Sequence, residues 1–186
     1  MTEWLITPCQ APELEAVVAL VNSAYRGDSS RAGWTTEADY LDGQRTSLAD
    51  LRQDLAAETA PVILVLRETA DGPILACVLA ERTTGSDGRT VAYIGMVTVN
   101  PAIQAKGLGR VMLEAAEALA KDWGAVRARM TVVSIRDTLI AWYERRGYRL
   151  TGERLPFPYD DARFGEPRRP DLEFLVLEKP LAGPEA

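Results

Sequence analysis

The stretch that decides the fold is YIGMVTVNPAIQAKGLGRVMLEAAEALAKDW, residues 93–123. Residues 93–99 are mostly apolar and rich in β-branched side chains, which is typical of a strand inside a sheet. Pro101 ends that strand, because proline has no N–H to donate to a neighbouring strand. After Gly109 the apolar residues recur at helical spacing as far as Trp123, which predicts an amphipathic helix. The order is therefore a buried strand, a glycine-containing turn and a helix.

The predicted helix has an apolar face and a charged face. The apolar set is Leu108, Met112, Ala115, Leu119 and Trp123. The charged set on the opposite face is Arg110, Glu114, Glu117 and Lys121. We expect the apolar face to pack on the sheet and the charged face to be solvated.

The turn before the helix has the features of a pyrophosphate site. Gly107 and Gly109 let backbone N–H groups approach an anion, and the helix dipole favours negative charge at its start. Lys106 adds positive charge. The turn is not a P-loop, since Arg110 stands where a P-loop has lysine, nor a dinucleotide turn, since Met112 replaces its third glycine. A helix start with two incidental glycines is the plainer alternative, and the rest of the chain decides between them.

Composition narrows the class of protein. The chain has 186 residues, 47% of them apolar and 26% charged, which is ordinary for one globular domain. A net charge of −6 argues against a general nucleic-acid binder, and no apolar run reaches the ~20 residues that span a bilayer. The absence of histidine excludes Ser-His-Asp catalysis, and the two cysteines, Cys9 and Cys77, predict neither a disulfide framework nor a zinc site. No signal peptide is visible and no disulfide framework is expected, so we expect a reduced, cytoplasmic setting. No metal is expected, because the chain has no histidine and only two distant cysteines.

Strand and helix patterns alternate without repeats or linkers, which predicts one α/β domain over residues 1–180 and a frayed tail at 181–186. The predicted strands are Trp4–Thr7, Val62–Leu66, Ile74–Ala80, Tyr93–Val99, Val126–Val132, a sixth that begins at Tyr148, and Leu172–Glu178. The predicted helices are Pro12–Tyr25, Ser47–Thr59, Gly107–Trp123 and Asp137–Arg146. Turns at Asp71-Gly72 and Asp87-Gly88 join strands two to four in an antiparallel meander. The helix after the fourth strand makes the fourth and fifth strands parallel neighbours.

A second motif lies at the end of the fourth predicted helix, where residues 142–148 are WYERRGY. The chain closely resembles the GCN5-related N-acetyltransferases (GNAT family) in three features. These are this motif, the motif Gln104-x-x-Gly107-x-Gly109, and the order of elements over about residues 3–179. The resemblance implies an α/β fold with a mixed, mostly antiparallel sheet of about seven strands and about four helices. In that fold the parallel fourth and fifth strands splay apart around acetyl-CoA.

The resemblance also implies an activity, the direct transfer of an acetyl group from acetyl-CoA to a primary amine. By position, the backbone of Val97 and Val99 should pair with the pantetheine arm, and an N–H near Val97 or Met96 should face the developing oxyanion. Gly95 suggests a bulge or a close backbone approach in this strand. The residues expected around the pyrophosphate are Gln104, Ala105, Lys106, Gly107, Leu108, Gly109 and Arg110. Tyr143 matches the family's general acid, since a phenol can protonate a leaving thiolate at neutral pH; a tyrosine packed in a helix face is the alternative.

Two positions depart from the family's pattern. Tyr93 stands eleven residues before Gln104, where histone-type members carry a glutamate base, and a phenol is a poor base at pH 7. Deprotonation of the amine therefore uses water or a carboxylate elsewhere. The open candidates are Glu37, Glu81 and Glu153. Arg136 stands where many members have an asparagine that contacts the cofactor, and its guanidinium is expected either to pair with a phosphate or to be solvated.

The acceptor is less constrained, because the family resemblance defines only the acyl donor. Two long loops, 26–44 and 154–170, are expected to flank it. Their charged residues include Glu37, Asp39, Asp42, Asp160, Asp161, Arg163, Arg168 and Arg169. Acidic groups suit a cationic amine and arginines suit a carboxylate-bearing one, and a small amine or an amino acid is favoured. A peptide or protein amine is the alternative acceptor. Because Tyr93 occupies the base position, the protein could instead be a non-catalytic acyl-CoA sensor. A homodimer is possible, and neither nucleic acid nor a membrane is expected as a partner.

Overall fold

The computed structural model describes residues 4–181, except the side chain of Ala105. Its strands are β1 (Leu5–Pro8), β2 (Leu41–Asp42), β3 (Val62–Arg67), β4 (Ala76–Thr84), β5 (Thr90–Val99), β6 (Arg127–Val133), β7 (Arg149–Pro156), β8 (Glu166–Pro167) and β9 (Glu173–Pro180). Its helices are α1 (Leu14–Tyr25), α2 (Gly27–Ser30), α3 (Leu48–Leu55), α4 (Leu108–Asp122) and α5 (Asp137–Glu144). Short 3-10 turns occupy Ala11–Glu13, Pro101–Lys106 and Ala162–Phe164. Within residues 4–181, none of the helices is long and apolar enough to cross a bilayer.

Seven strands form the main sheet, in the order β1-β3-β4-β5-β6-β9-β7. Every neighbouring pair is antiparallel except β5 and β6, which are parallel. These two are the strands predicted as fourth and fifth, because the short β2 adds one to the numbering. The α/β class, the meander of β3, β4 and β5 and the mostly antiparallel sheet are therefore confirmed. β2 pairs with β8 in a separate two-stranded sheet.

The two parallel strands separate part of the way along. Their pairing ends at Tyr93 and Arg129, although β5 continues for six more residues to Val99. Met96 has a φ of 53°, a left-handed conformation that is uncommon outside glycine, and the register against β4 shifts at the same place. The bulge is thus one residue beyond Gly95. A Cβ on Gly95 would lie 3.0 Å from Cε1 of Tyr93, so that glycine makes room for the tyrosine ring.

Both faces of the sheet are covered by helices. β3 shows this most directly, because Leu64 and Leu66 pack in the cluster that contains α4 and α5, whereas Ile63 and Val65 pack in the cluster that contains α1 and α3. A strand that is buried on both faces needs apolar residues at every position, which explains the continuous run in β3.

Two helix predictions need correction. Ser47 caps α3 as expected, with its hydroxyl accepting from the N–H of Asp50 at 3.1 Å, but the helix ends at Leu55 and not at Thr59. Residues 56–59 are all exposed, so no packing holds a further turn in place. In α4, Glu117 was predicted on the solvated face and is only 6% exposed. It accepts hydrogen bonds from the hydroxyl of Tyr148 at 2.9 Å and from the ammonium of Lys179 at 2.7 Å, which offset the cost of burying it.

The C-terminal end of the domain extends one residue beyond the predicted boundary. Leu181, which was assigned to the frayed tail, is 8% exposed and packs in the core, and its N–H donates to the carbonyl of Val126 at 2.9 Å. The rest of the predicted tail, 182–186, lies outside the described residues.

Candidate active site

A cleft of about 70 Å³ opens between the end of β5, the start of α4 and α5. Of the residues predicted to bind the cofactor, its wall contains Val97, Val99, Gln104, Gly107, Gly109 and Arg110. The side chain of Leu108 is fully buried in the core, so only its backbone can serve a ligand there, and Lys106 is exposed. The side chain of Ala105 is not among those described.

The start of α4 presents unpaired backbone donors at this cleft. Gly107 has a φ of 77°, which is left-handed, and its carbonyl accepts from the N–H groups of both Arg110, at 3.1 Å, and Val111, at 3.3 Å. The N–H groups of Leu108 and Gly109 have no partner within the helix. Together with the positive end of the helix dipole, they can hold an anion.

The side chain of Gln104 contacts the loop that follows α2. Its amide nitrogen donates to the hydroxyl of Thr35 at 2.8 Å and to the carbonyl of Val99 at 3.3 Å, and its oxygen accepts from the N–H of Trp34 at 2.9 Å. A Cβ on Gly33 would come within 2.4 Å of the same oxygen. Gln104 therefore ties this loop to the end of β5, a role that the family motif does not suggest.

Two residues that the sequence analysis did not assign complete the mouth of the cleft. Trp142 lies 6.0 Å from Trp34 between ring centroids, and the guanidinium of Arg146 stacks on Trp142 at 3.5 Å. Burial and the positive charges of Arg145 and Arg110 lower the pKa of Arg146. Positive charges are therefore crowded at the mouth, and an anionic ligand would relieve that repulsion. The WYERRGY motif contains both residues, but their side-chain directions could not be inferred from it.

A second, larger cavity of about 330 Å³ lies on the other side of Tyr143. One part of its wall is apolar and consists of Leu41, Leu155, Phe157, Phe164 and Phe174. Another part carries the ionisable residues Tyr25, Arg26, Glu37, Arg45, Tyr93 and Arg136. All three phenylalanines of the chain lie in this wall. Their confinement to residues 157–174 was a sequence signal that could have identified the cavity.

The two long loops meet beside this cavity. β2 and β8 pair there, and Arg168 forms a two-pronged salt bridge with Asp42 at 2.5 and 2.7 Å. Most of the other charged loop residues form surface pairs away from the cavity wall. These pairs are Asp39 with Arg31, Asp161 with Arg163, and Arg169 with Asp171, while Asp160 is exposed. Of the loop charges expected near the acceptor, Glu37 lines the cavity.

Glu37 lies between two buried arginines. It is 5% exposed, and its two carboxylate oxygens accept from Arg26 and, at 3.1 Å, from Arg136. Burial alone would raise the pKa of Glu37, but the charges of Arg136 and Arg26 outweigh burial and lower it. Arg136 also donates to the carbonyl of Thr35 at 2.7 Å and is 8% exposed. Both expectations for Arg136, a phosphate partner or solvent, are therefore wrong.

None of the three carboxylates considered as a base is free in the cavity. Glu37 is held anionic by its arginines, and Glu153 pairs with Arg129 at 2.6 Å. Glu81 accepts from Thr59 at 2.7 Å and lines a neighbouring groove that shares Arg45 and Tyr93 with the cavity. Tyr93 faces the cavity, where its hydroxyl shares a hydrogen bond of 3.1 Å with Thr131. Among the described residues that line the cavity, Glu37 is the only carboxylate.

Tyr143 lies between the two cavities. It lines both, as do Val97 and Leu139, and its ring is held by edge contacts with Trp142 at 5.0 Å and Tyr148 at 5.8 Å. Its hydroxyl makes no hydrogen bond within the part of the chain that the structure describes. Burial raises the pKa of Tyr143 well above its ordinary value, so the hydroxyl remains a proton donor across the neutral range.

Tyr25 is a further residue that the sequence analysis missed. Its hydroxyl donates to the carbonyl of Val97 at 2.5 Å, next to the left-handed Met96. This bond crosses from α1 to β5, where the strand is no longer paired with β6. Tyr25 therefore holds the backbone in place between the cleft and the cavity.

Comparison with known proteins agrees with this geometry. A model of the acetyltransferase (GNAT) family matches residues 16–148, and the chain belongs to that family. No curated protein matches the sequence. The chain is similar in fold to the crystal structure of "a putative phosphinothricin N-acetyltransferase", with a TM-score of 0.71, 18% identity, and coverage of 97% of this chain and 100% of that one.

Two further structures have the same fold. The NatC complex bound to Gag peptide and CoA has a TM-score of 0.67 and 15% identity, covering 97% of this chain and 99% of that one. Ribosomal-protein-alanine N-acetyltransferase from Brucella melitensis has a TM-score of 0.68 and 17% identity, covering 95% and 99%. The predictions of the family, of its fold and of an acyl-CoA-dependent N-acyltransferase are confirmed. Identities this low show the fold alone and leave the acceptor open.

Proposed function

We propose that this protein transfers an acetyl group from acetyl-CoA to the primary amine of a small molecule or an amino acid. The observation that carries the proposal is the position of Tyr143, whose unpaired hydroxyl lies where a cleft with anion-binding features meets a separate cavity. A donor at that junction can serve a leaving group from one side while an acceptor occupies the other. The free thiols of Cys9 and Cys77 support a reducing, cytoplasmic setting.

The residues of the cleft fit acetyl-CoA, which supplies an activated thioester. The N–H groups of Leu108 and Gly109 would hold the pyrophosphate, with Arg110 and Arg146 adding positive charge. Gln104, Ala105, Lys106 and Gly107 complete the proposed site around it. The backbone of Val97 and Val99 would pair with the pantetheine arm, because β5 has lost β6 as a partner beyond Tyr93. No metal is part of this proposal.

Tyr143 would act as the general acid. Its raised pKa keeps the proton on the phenol, and burial raises the pKa of a departing thiol in the same site as well, which reduces the difference between donor and acceptor. The hydroxyl has no competing partner in the described structure, so it is available to the leaving sulfur.

Deprotonation of the amine would depend on the charge of the cavity. Three arginines and one carboxylate line it, and this excess of positive charge lowers the pKa of a bound ammonium group. The neutral amine then forms without a dedicated carboxylate base, and its proton leaves through water or through the Tyr93–Thr131 pair.

The test is Tyr143→Phe, which keeps the ring contacts and removes the proton. General acid catalysis is worth ~10²–10⁴-fold, so the single-turnover rate of thiol release should fall by that factor while calorimetry shows unchanged affinity for acetyl-CoA. Tyr40→Phe is the matched control, because Tyr40 has a buried hydroxyl without a hydrogen-bond partner among the described residues and does not line either cavity. A wild-type rate in Tyr143→Phe would make Tyr143 a packing residue.

Two alternatives have some support. The absence of a free carboxylate among the described cavity residues favours a non-catalytic acyl-CoA sensor, for which acetyl-CoA would bind tightly and no amine would release thiol. Peptide or protein amines are the other alternative, since structural neighbours are named for a Gag peptide complex and for ribosomal-protein alanine. The paired loops beside the cavity favour a small acceptor instead. A panel of small amines and peptides, followed by thiol release, separates the three cases.

A further inference from the structure

The wall of the larger cavity includes an arginine, Arg45, that forms no direct ion pair within the described residues. We propose that the acceptor is a free α-amino acid with an apolar side chain, and that Arg45 binds its carboxylate. This inference rests on the proposed function, because it names the acceptor class of that same site.

Arg45 lines the cavity, is half-buried, and has no carboxylate partner and no side-chain hydrogen bond within the described residues. Its guanidinium lies 5.8 Å from the centre of the Tyr25 ring, a weak cation–π distance. Arg26 and Arg136 bond directly to Glu37, whereas the charge of Arg45 acts on Glu37 and Asp54 only at a distance. Arg45 is therefore the guanidinium in the cavity wall that is available to an anion.

The backbone that carries Arg45 is held firmly. The side-chain oxygen of Asn22 accepts from the N–H groups of Arg45 at 2.7 Å and Thr46 at 3.1 Å, and its amide nitrogen donates to the carbonyl of Thr46 at 2.9 Å. These bonds fix the end of the first long loop to α1. A guanidinium on an anchored backbone loses less freedom when it binds a carboxylate.

The charge balance of the cavity selects an anionic ligand. Both oxygens of Glu37 are already bonded, so a second cationic group on the acceptor would meet three arginines and no free carboxylate in the described wall. A carboxylate would instead form a charge-assisted, two-pronged bond with Arg45. Polyamines and lysine side chains are therefore not preferred acceptors.

The apolar part of the wall and the volume define the rest of the ligand. The three phenylalanines and two leucines offer an apolar surface for a side chain. A volume of about 330 Å³ lies at the lower end of the range for small-molecule sites. A peptide has no α-carboxylate beside its N-terminal amine, so Arg45 would lose this partner in a peptide complex.

The experiment compares phenylalanine, leucine and methionine with their amides and with the dipeptides that carry glycine at the C-terminal side. The amide keeps the side chain and amine but removes the negative charge. Thiol release from acetyl-CoA gives kcat and KM, and calorimetry on the CoA-loaded protein measures binding separately from chemistry. The variants are Arg45→Gln, the charge-conserving Arg45→Lys, and Arg52→Gln as a control, since Arg52 is exposed on α3 and lines neither cavity.

For wild type we expect kcat/KM for the amino acids to exceed that for their amides by at least ~10-fold. Arg45→Gln should lose ~10–100-fold on the amino acids, mainly through KM, and less than ~3-fold on the amides, while Arg45→Lys recovers part of the loss. Arg52→Gln should behave as wild type.

The outcomes separate this inference from the proposed function. Amides or dipeptides that react as well as the amino acids, or an Arg45→Gln loss that is equal for acids and amides, would overturn the inference and leave acetyl transfer intact. Binding of amino acids but not amides, without thiol release from any amine, would overturn the proposed function and leave Arg45 as a carboxylate-binding residue rather than an acceptor-binding one. If CoA binds and none of the three amino acids binds or reacts, the inference is wrong.

Discussion

Replacing Glu37 with glutamine removes the negative charge between Arg26 and Arg136 and changes little else. The three side chains are 5–8% exposed, so solvent cannot take over the lost interaction. Breaking a buried ion pair from one side costs ~3–5 kcal/mol, because the partner charge stays buried and uncompensated. Glutamine keeps one oxygen that can still accept from one arginine, which favours the lower end, ~3 kcal/mol. For a domain of this size, ~3 kcal/mol corresponds to a decrease in Tm of ~6–12 °C.

Thermal and urea unfolding of Glu37→Gln measure this loss, and Asp39→Asn provides the control from the same loop. Asp39 pairs with Arg31 at 2.6 Å, but the two side chains are 71% and 47% exposed. An exposed pair of this kind contributes ~0–1 kcal/mol. If Glu37→Gln lowers Tm no more than Asp39→Asn does, the buried cluster does not stabilise the fold and the reasoning fails.

The same carboxylate predicts a pH dependence with a definite sign. The pKa of Glu37 is lower in the folded protein than its ordinary value, because two arginines outweigh the effect of burial. Its contribution to stability is therefore complete above the unfolded pKa and disappears as the pH falls through the folded pKa. The difference in Tm between wild type and Glu37→Gln should be constant from about pH 6 to 8, because these pH values lie above the unfolded pKa of ~4.3. The difference should shrink when the pH falls below ~4.3. A difference that grew on acidification would contradict the assignment.

Two further predictions concern the cofactor cleft. Gly109→Val should weaken acetyl-CoA binding by at least ~10-fold in calorimetry without unfolding the domain. The reason is that a bare Cβ already lies 3.4 Å from Trp142 and the added methyl groups extend into the cleft. Gly109→Ala is the milder control, and unchanged affinity in Gly109→Val would remove the basis for the pyrophosphate site. Arg146→Gln should weaken the binding of CoA by ~10-fold and make the affinity less dependent on salt, because the substitution removes a cation stacked on Trp142 at the mouth of the cleft. If the affinity and its salt dependence equal those of wild type, Arg146 has only a packing role.

Local sequence was informative where neighbouring residues along the chain determine the structure. The end of β5, the turn at Gly107 and the helix α4 follow from residues within 31 positions of one another, and their pattern of periodicity and glycines needs no distant contact. The end of α3 was missed because only packing could have held residues 56–59 in a helix, and none of them is buried. Glu117 was misplaced because its burial depends on Lys179, which is 62 positions away.

The amino-acid sequence by itself therefore determined the strand, turn and helix that define the family, and it identified Tyr143 as the residue to test. Only the tertiary structure decided which charges line the larger cavity. Arg26, Glu37 and Arg136 form one buried cluster although Arg136 is 99 positions from Glu37. Arg45 lines the same cavity and has no ion-pair partner among the described residues. No local pattern distinguishes these arginines from solvated ones. The distinction depends on two loops folding against the splayed ends of β5 and β6, where burial makes each unpaired charge costly and each pairing specific.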